Sequence, residues 1–90
     1  MIVFDPGKDR ANISKHGVSL GRAKTMFIDD ALIEIDDRRD YGEPRWILYG
    51  DIDGRLHVLA FTVRQGITRA ISLRKANDRE QKYAVQQRRL

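Results

Sequence analysis

Apolar positions in the first third of the chain come in short clusters separated by charged residues and glycines. Ile2-Val3-Phe4 is a brief apolar run halted by Pro6-Gly7, which reads as a first strand. Lys8 to His16 lacks Gly and Pro and stops at Gly17, with a histidine in its last turn, so a short helix is predicted there. Ser19 has the character of an N-cap for a second helix. In it Leu20, Ala23, Met26 and Phe27 fall at i, i+3, i+6 and i+7 and form one apolar stripe. Ala31 to Asp36 alternates weakly and predicts a strand, followed by a charged loop from Asp36 to Pro44.

The second half is more regular. Arg45–Gly50, Arg55–Val63 and Ile67–Leu73 are rich in β-branched and aromatic residues and read as strands. Asp53-Gly54 is a strong type I′ hairpin signal, and Gln65-Gly66 a weaker turn. A last helix is predicted from Asn77 to about Arg89, with Asn77 and Glu80 at capping-box spacing. It is polar nearly all round, with Tyr83, Ala84 and Val85 as its apolar surface, so it lies loosely on the sheet or awaits a partner. The order β-α-α-β-β-β-β-α predicts an α+β fold. Two N-terminal helices would pack on one face of an antiparallel sheet of four to five strands.

Length adds that the 90 residues form one domain, 1–90. A chain this short buries only about 60–65% of its unfolded surface, so the core is thin. There is no cysteine, which excludes disulfides and Cys-based zinc sites. No signal peptide and no run approaching the roughly 20 apolar residues of a membrane span is visible, so a cytoplasmic protein away from membranes is expected.

The net charge is +4, and it is unevenly spread. Asp29 to Asp53 holds nine acidic residues against Arg38, Arg39 and Arg45, whereas Arg64 to Leu90 holds eight basic residues against Asp78 and Glu80. A concentrated positive field suits a phosphate-rich partner, because neutralising phosphates releases condensed counterions. A solvated charged surface with no partner is the plainer alternative.

Hairpin register converts this into candidate residues. If Gln65-Gly66 is a two-residue loop, Arg64 pairs with Ile67 and Thr62 with Arg69. Ala60 then pairs with Ile71, Val58 with Leu73 and His57 with Arg74. Arg64 and Arg69 would be diagonal neighbours on one face, able to converge on one phosphate. Each candidate also has a plainer role. Arg64 can be solvated beside its turn, Arg74 and Lys75 can protect a strand end, His57 can be structural, and Tyr83 can anchor the last helix. His16 reads as a cation stabilising a helix C-terminus, with Lys15 exposed beside it. Arg69, on a face otherwise given to Ile67, Ile71 and Leu73, is costly unless paired or near an edge. Gly50, Gly54 and Gly66 read as turn glycines, so no phosphate loop is present. The carboxylates Asp36, Asp37, Asp40 and Glu43 cluster in a loop, but without the spacing of a magnesium site. No metal and no cofactor is predicted.

Three segments resemble the BrnT toxins, a family in the wider RelE-like group. They are Phe4-Asp5, Lys8, Asn12 and Lys15-His16-Gly17-Val18-Ser19; then Glu43-x-Arg45 and Gly50; then Ile71-Ser72-x-Arg74-Lys75-Ala76, Glu80 and Tyr83. The chain departs from that pattern at Phe4 and Leu20, both apolar exchanges, and at Pro44, which interrupts an acidic run. The resemblance implies a RelE-like fold and metal-independent RNA cleavage that halts translation. It also implies inhibition by a BrnA-like ribbon-helix-helix antitoxin, with operator DNA contacted only through the toxin–antitoxin complex. In-line attack by a ribose 2′-hydroxyl needs a base, positive charge on the developing phosphorane and an acid for the leaving oxygen. Arg64 and Arg74 are the candidates for the phosphate, and Glu80, His57 and Tyr83 for the protons. Arg45, Arg69, Lys75, Arg79 and Lys15 are candidates for holding RNA. The competing expectation is a non-catalytic module that binds RNA or a protein.

Overall fold

A computed structural model describes residues 2–88. Its elements are β1 (Ile2–Val3), α1 (Pro6–His16), a 3₁₀ turn (Leu20–Thr25), β2 (Phe27–Ile35), β3 (Trp46–Ile52), β4 (Arg55–Arg64), β5 (Ile67–Lys75) and α2 (Asp78–Arg88). The predicted end of the last helix at about Arg89 lies outside the described residues.

Helix α1 starts earlier than its sequence pattern suggests. The Asp5 carboxylate accepts from the Lys8 N–H at 2.9 Å, and Pro6 occupies the first turn, where a missing N–H costs nothing. Pro6-Gly7 therefore opens a helix and does not merely end a strand. Gly17, at φ +73°, closes it and donates to the Ile13 carbonyl.

The second predicted helix is a 3₁₀ turn. Ser19 does cap it, accepting from the Gly21 N–H at 3.1 Å, and Asp9 accepts from both the Ser19 hydroxyl and the Leu20 N–H. Leu20, Ala23 and Met26 are buried, but Phe27 is exposed and begins β2. A spacing of three, repeated, suits a helix of three residues per turn, in which such positions eclipse.

The five strands form one mixed sheet in the order β1-β5-β4-β3-β2. β1 runs parallel to β5 and the other pairs are antiparallel, so the expected wholly antiparallel sheet is corrected at this edge. Both hairpins have two-residue loops with positive φ at both positions, Asp53-Gly54 (51° and 76°) and Gln65-Gly66 (52° and 76°). Gly50 is not a turn glycine. It lies inside β3, where an added Cβ would come within 2.8 Å of the Met26 side chain.

The β4–β5 register starts as predicted, with Arg64 opposite Ile67 and Thr62 opposite Arg69. It then shifts. Phe61 faces Ala70 but Ala60 faces Ser72, so Ile71 is an extra residue in β5. Every later pairing moves by one: Leu59 faces Leu73, Val58 faces Arg74 and His57 faces Lys75. A one-residue slip exchanges the two faces of a strand. Leu73 thus enters the core formed by Leu20, Ala23, Leu48 and Leu59, and Arg74 turns to the other face.

The helices divide between those faces. The 3₁₀ turn covers the Leu59–Leu73 side, while α2 lies on the opposite side, where Ala84 packs with Leu56, Val58 and Ala76. Two helices on one face is therefore corrected to one α-helix and a 3₁₀ turn, with α2 seated across the sheet. α1 runs beside β5, because two-residue β1 pairs only with Thr68 and Arg69 and leaves the rest of that edge open. Buried Asn12 fills the gap: its side chain donates to the Leu73 and Val18 carbonyls at 2.8 Å and accepts from the Leu73 N–H at 3.2 Å. Buried polar groups left unpaired cost about 1–3 kcal/mol each, so Asn12→Leu is expected to lower the unfolding free energy by about 2–4 kcal/mol. Urea unfolding followed by circular dichroism measures this. An unchanged midpoint would mean that α1 is held by other contacts.

Candidate functional site

The bulge gathers a cleft of about 380 Å³ on the α2 face of the sheet. Ile47, Tyr49, Val58 and Ala60 form its floor, and Ser72 and Arg74 stand beside them on β5. Lys15 and His16 reach it from the end of α1, Glu80 from the first turn of α2, and Arg38 from the loop after β2.

Arg74 is held in place. Its two terminal nitrogens donate to both Glu80 carboxylate oxygens at 2.7 and 2.8 Å, a fork-on-fork geometry that fixes the guanidinium plane. Glu80 is held in turn by a capping box: its carboxylate accepts from the Asn77 N–H, and the Asn77 side chain accepts from the Glu80 N–H. The hydrogen bonds from Arg74 pull the Glu80 carboxyl below its usual range, and Glu80 raises Arg74 correspondingly. Both groups are therefore charged at neutrality.

His16 behaves differently from the helix-end cation read from sequence. Burial, then the charges of Lys15 and Arg74, lower its pKa, so the imidazole is neutral near pH 7. The opposing attraction of the helix C-terminus does not prevail. Tyr49 meets Tyr83 edge to face at 5.8 Å. The Tyr83 hydroxyl donates to Glu34 at 2.5 Å, and that bond raises its pKa.

A second group of arginines lies further along the same face. Arg45, just before β3, continues the row in which Thr62 faces Arg69. Arg45 stacks on the Tyr41 ring at 4.1 Å. Tyr41 is fixed by its hydroxyl, which donates to buried Asp36 at 3.2 Å, and Asp36 also takes a double hydrogen bond from Arg38 at 2.7 and 2.8 Å. Arg64 is diagonal to Arg69 as predicted, and both line a shallow cavity of about 490 Å³ with Val3, Phe4, Gln65 and Ile67. Arg64 is, however, already paired through two hydrogen bonds with Glu43, at 2.9 and 2.7 Å.

The structure thus brings Arg74, Glu80 and Lys15 together and separates other candidates from them. Arg64 lies six positions along β4 from Val58, the partner of Arg74, or about 20 Å at strand rise. That is too far for Arg64 and Arg74 to grip one phosphate. His57 is buried on the opposite face, its Nδ1 donating to the Arg55 carbonyl at 2.7 Å, and Lys75 faces it across the ladder. The pairing of His57 with Arg74 is corrected by the bulge. Arg79 is exposed on the first turn of α2. His16, Arg38, Tyr49 and Ser72 join the cleft, although their sequence pattern does not single them out as site residues. Tyr49 faces Val58 and Val58 faces Arg74, so register alone would have found Tyr49, but only with the extra residue in β5 known. The loop carboxylates do not converge: Asp36 serves Arg38 and Tyr41, Asp40 accepts from the Gly42 N–H, and Glu43 holds Arg64. Among the described residues no group of three or more His, Asp or Glu side chains is placed to hold a metal ion.

Fold and cleft define a small α+β protein in which Arg64, Arg69 and Arg74 share one sheet face and a carboxylate fixes Arg74. Residues 4–80 match the family described as the ribonuclease toxin, BrnT, of type II toxin–antitoxin systems. The chain belongs to the BrnT family. No curated protein matches it. No helix among the described residues is long and apolar enough to cross a membrane.

The Asp36 network carries a pH signature. Chiefly through the Arg38 hydrogen bond, its carboxyl is lowered from 3.8 to about 2. A folded-state value below the unfolded one stabilises the protein fully above about pH 4, and that contribution is lost as pH falls toward about 2. Asp36→Asn is expected to flatten this part of the stability–pH curve, measured by urea unfolding at a series of pH values. A curve with the same steepness in wild type and variant would remove Asp36 as its source.

Proposed function

We propose that the cleft around Arg74 cleaves RNA without a metal ion, and that this cleavage halts translation. The observation that carries the reading is a guanidinium fixed by two hydrogen bonds to Glu80 in a cleft that Lys15 and His16 also line. The ribose 2′-oxygen attacks the adjacent phosphorus, the bond from phosphorus to the 5′-oxygen breaks, and a 2′,3′-cyclic phosphate and a 5′-hydroxyl result. Arg74 offsets the charge that grows on the phosphorane oxygens, as a planar, permanently charged donor suits.

Among the proton-handling candidates, Glu80 is ionised and engaged by Arg74, Tyr83 is bound to Glu34, and His57 is on the other face. His16 therefore takes the 2′-hydroxyl proton, and Lys15, beside it at the cleft, gives one to the leaving 5′-oxygen. The family supports a protein antitoxin as partner. From the resemblance we assign it as a BrnA-like ribbon-helix-helix protein through which operator DNA is contacted, with a RelE-like kinship and a cytoplasmic setting.

Purified protein is expected to cut RNA in the presence of EDTA and to leave 2′,3′-cyclic ends. Arg74→Ala should slow this by about 100-fold or more, the usual scale for a lost transition-state donor. Loss of cleavage in EDTA would return attention to the acidic loop, and RNA bound but left intact would support a silent binding module. The rate should rise with pH through an inflection below the ordinary imidazole value of about 6.5, because a lowered pKa keeps His16 a free base at lower pH. His16→Gln should abolish that inflection; its survival in the variant would take the proton-accepting role from His16.

A further inference from the structure

Two buried side-chain nitrogens among the described residues lack any hydrogen-bond partner, the Nε atoms of Arg45 and Arg69. They flank a single residue, Thr62. The Thr62 hydroxyl donates to the Pro44 carbonyl at 2.7 Å and closes the floor between them. Thr62 faces Arg69 across the ladder, and Arg45, one residue before the Trp46–Phe61 pair, extends the alternation to the same face, which also carries Arg74. The outer two are separated by two strand spacings, about 10 Å between backbones, which two long side chains can close around one small anion.

Arg22, Arg38, Arg64 and Arg74 each have a carboxylate partner. Several arginines have no carboxylate within ion-pair distance, but among the described residues only Arg45 and Arg69 combine that with a buried Nε that has no hydrogen-bond partner. Burying part of a guanidinium without a partner costs free energy, and native proteins seldom leave such groups unpaired without a use for them. Arg45 is also held over the Tyr41 ring, which Asp36 anchors.

We infer that Arg45 and Arg69 form a second phosphate subsite, which holds a backbone phosphate of the RNA strand away from the scissile one. This rests on the RNA reading above. Thr62 and Val58, the β4 residues facing Arg69 and Arg74, are four positions apart, about 13 Å along the strand. One phosphate cannot bridge that distance, whereas different phosphates of one strand can occupy both places. The subsite therefore makes the protein prefer a longer strand over a dinucleotide. Contacts to phosphate carry no base sequence, so it adds affinity and register without adding base preference.

The test uses 2′-O-methylated oligonucleotides, which lack the attacking hydroxyl: a dinucleotide with one phosphate and a hexanucleotide of the same composition. In the full chain, Arg45→Gln with Arg69→Gln is expected to weaken hexanucleotide binding about tenfold or more. The slope of log affinity against log salt should fall by about 0.7 for each phosphate that is no longer neutralised. Dinucleotide binding should be unchanged, and Arg10→Gln, an exposed charge on α1, should have little effect on either. The double variant loses the Arg45–Tyr41 contact together with two unpartnered Nε atoms, and it is expected to keep a single cooperative urea transition like that of wild type, so that lost binding is not lost folding. Hexanucleotide binding that survives the double variant would overturn the subsite alone. Equal weakening by Arg10→Gln would overturn it in favour of a diffuse positive field. Wild-type protein that binds neither oligonucleotide would overturn the RNA reading together with the subsite.

Discussion

The single extra residue in β5 at Ile71 is the constraint on which the rest of this structure depends. A β-strand presents alternate residues to opposite faces, so one insertion reverses the assignment of every residue beyond it. Without it Leu73 would leave the core, and Arg74 would lie opposite His57 in the apolar layer. With it the apolar row Leu48–Leu59–Leu73 is continuous, and the row Tyr49–Val58–Arg74 faces α2. Core and cleft are thus two consequences of one local event.

The cleft is then assembled by side chains that serve folding and chemistry together. Asn12 takes the place of a missing strand along β5, which brings the end of α1, with Lys15 and His16, to Ser72 and Arg74. Glu80 caps α2 and grips Arg74 with the same carboxylate. α2 has little apolar surface, with Ala84 its buried residue, and the Glu80–Arg74 and Tyr83–Glu34 bonds tie its polar side to the sheet. This explains how a helix so polar is seated at all. It also means that loss of Glu80 disturbs the helix start and the arginine at once.

Charge is distributed by the same logic. The acidic segment before β3 supplies counter-ions and anchors: Asp36 for Arg38 and Tyr41, Glu43 for Arg64. Among the described residues Arg45 and Arg69 form no ion pair, although the Arg45 charge helps to lower the Glu43 pKa, and these two flank Thr62 on the face that holds Arg74. On the proposed RNA reading, a basic field along one face, with some cations neutralised and others not, would direct an anionic chain to particular places on the sheet.

Local chemistry was legible in the chain itself. Positive φ at Asp53-Gly54 and Gln65-Gly66, the Ser19 cap, the Asn77–Glu80 box and the first half of the β4–β5 register all follow from residue types at short spacing. Pro6 is ambiguous in sequence because proline signals both a strand end and a helix start, and only the Asp5 cap distinguishes them. Glu80 was likewise visible as a cap from its spacing to Asn77, and Arg74 as a candidate from its residue type. Tertiary structure alone decided which of the arginines meet. Nothing in Ala70-Ile71-Ser72 announces a bulge, because its cause is long-range: Leu73 must reach the core while Asn12 claims its backbone. His16 shows the same limit in part: burial lowers its pKa most, then the adjacent Lys15, which the sequence does show, and then Arg74, a residue distant in sequence. The sequence by itself determined the elements, the turns and the supply of cations. Packing across the sheet determined the face on which each cation lies and whether a carboxylate stands beside it.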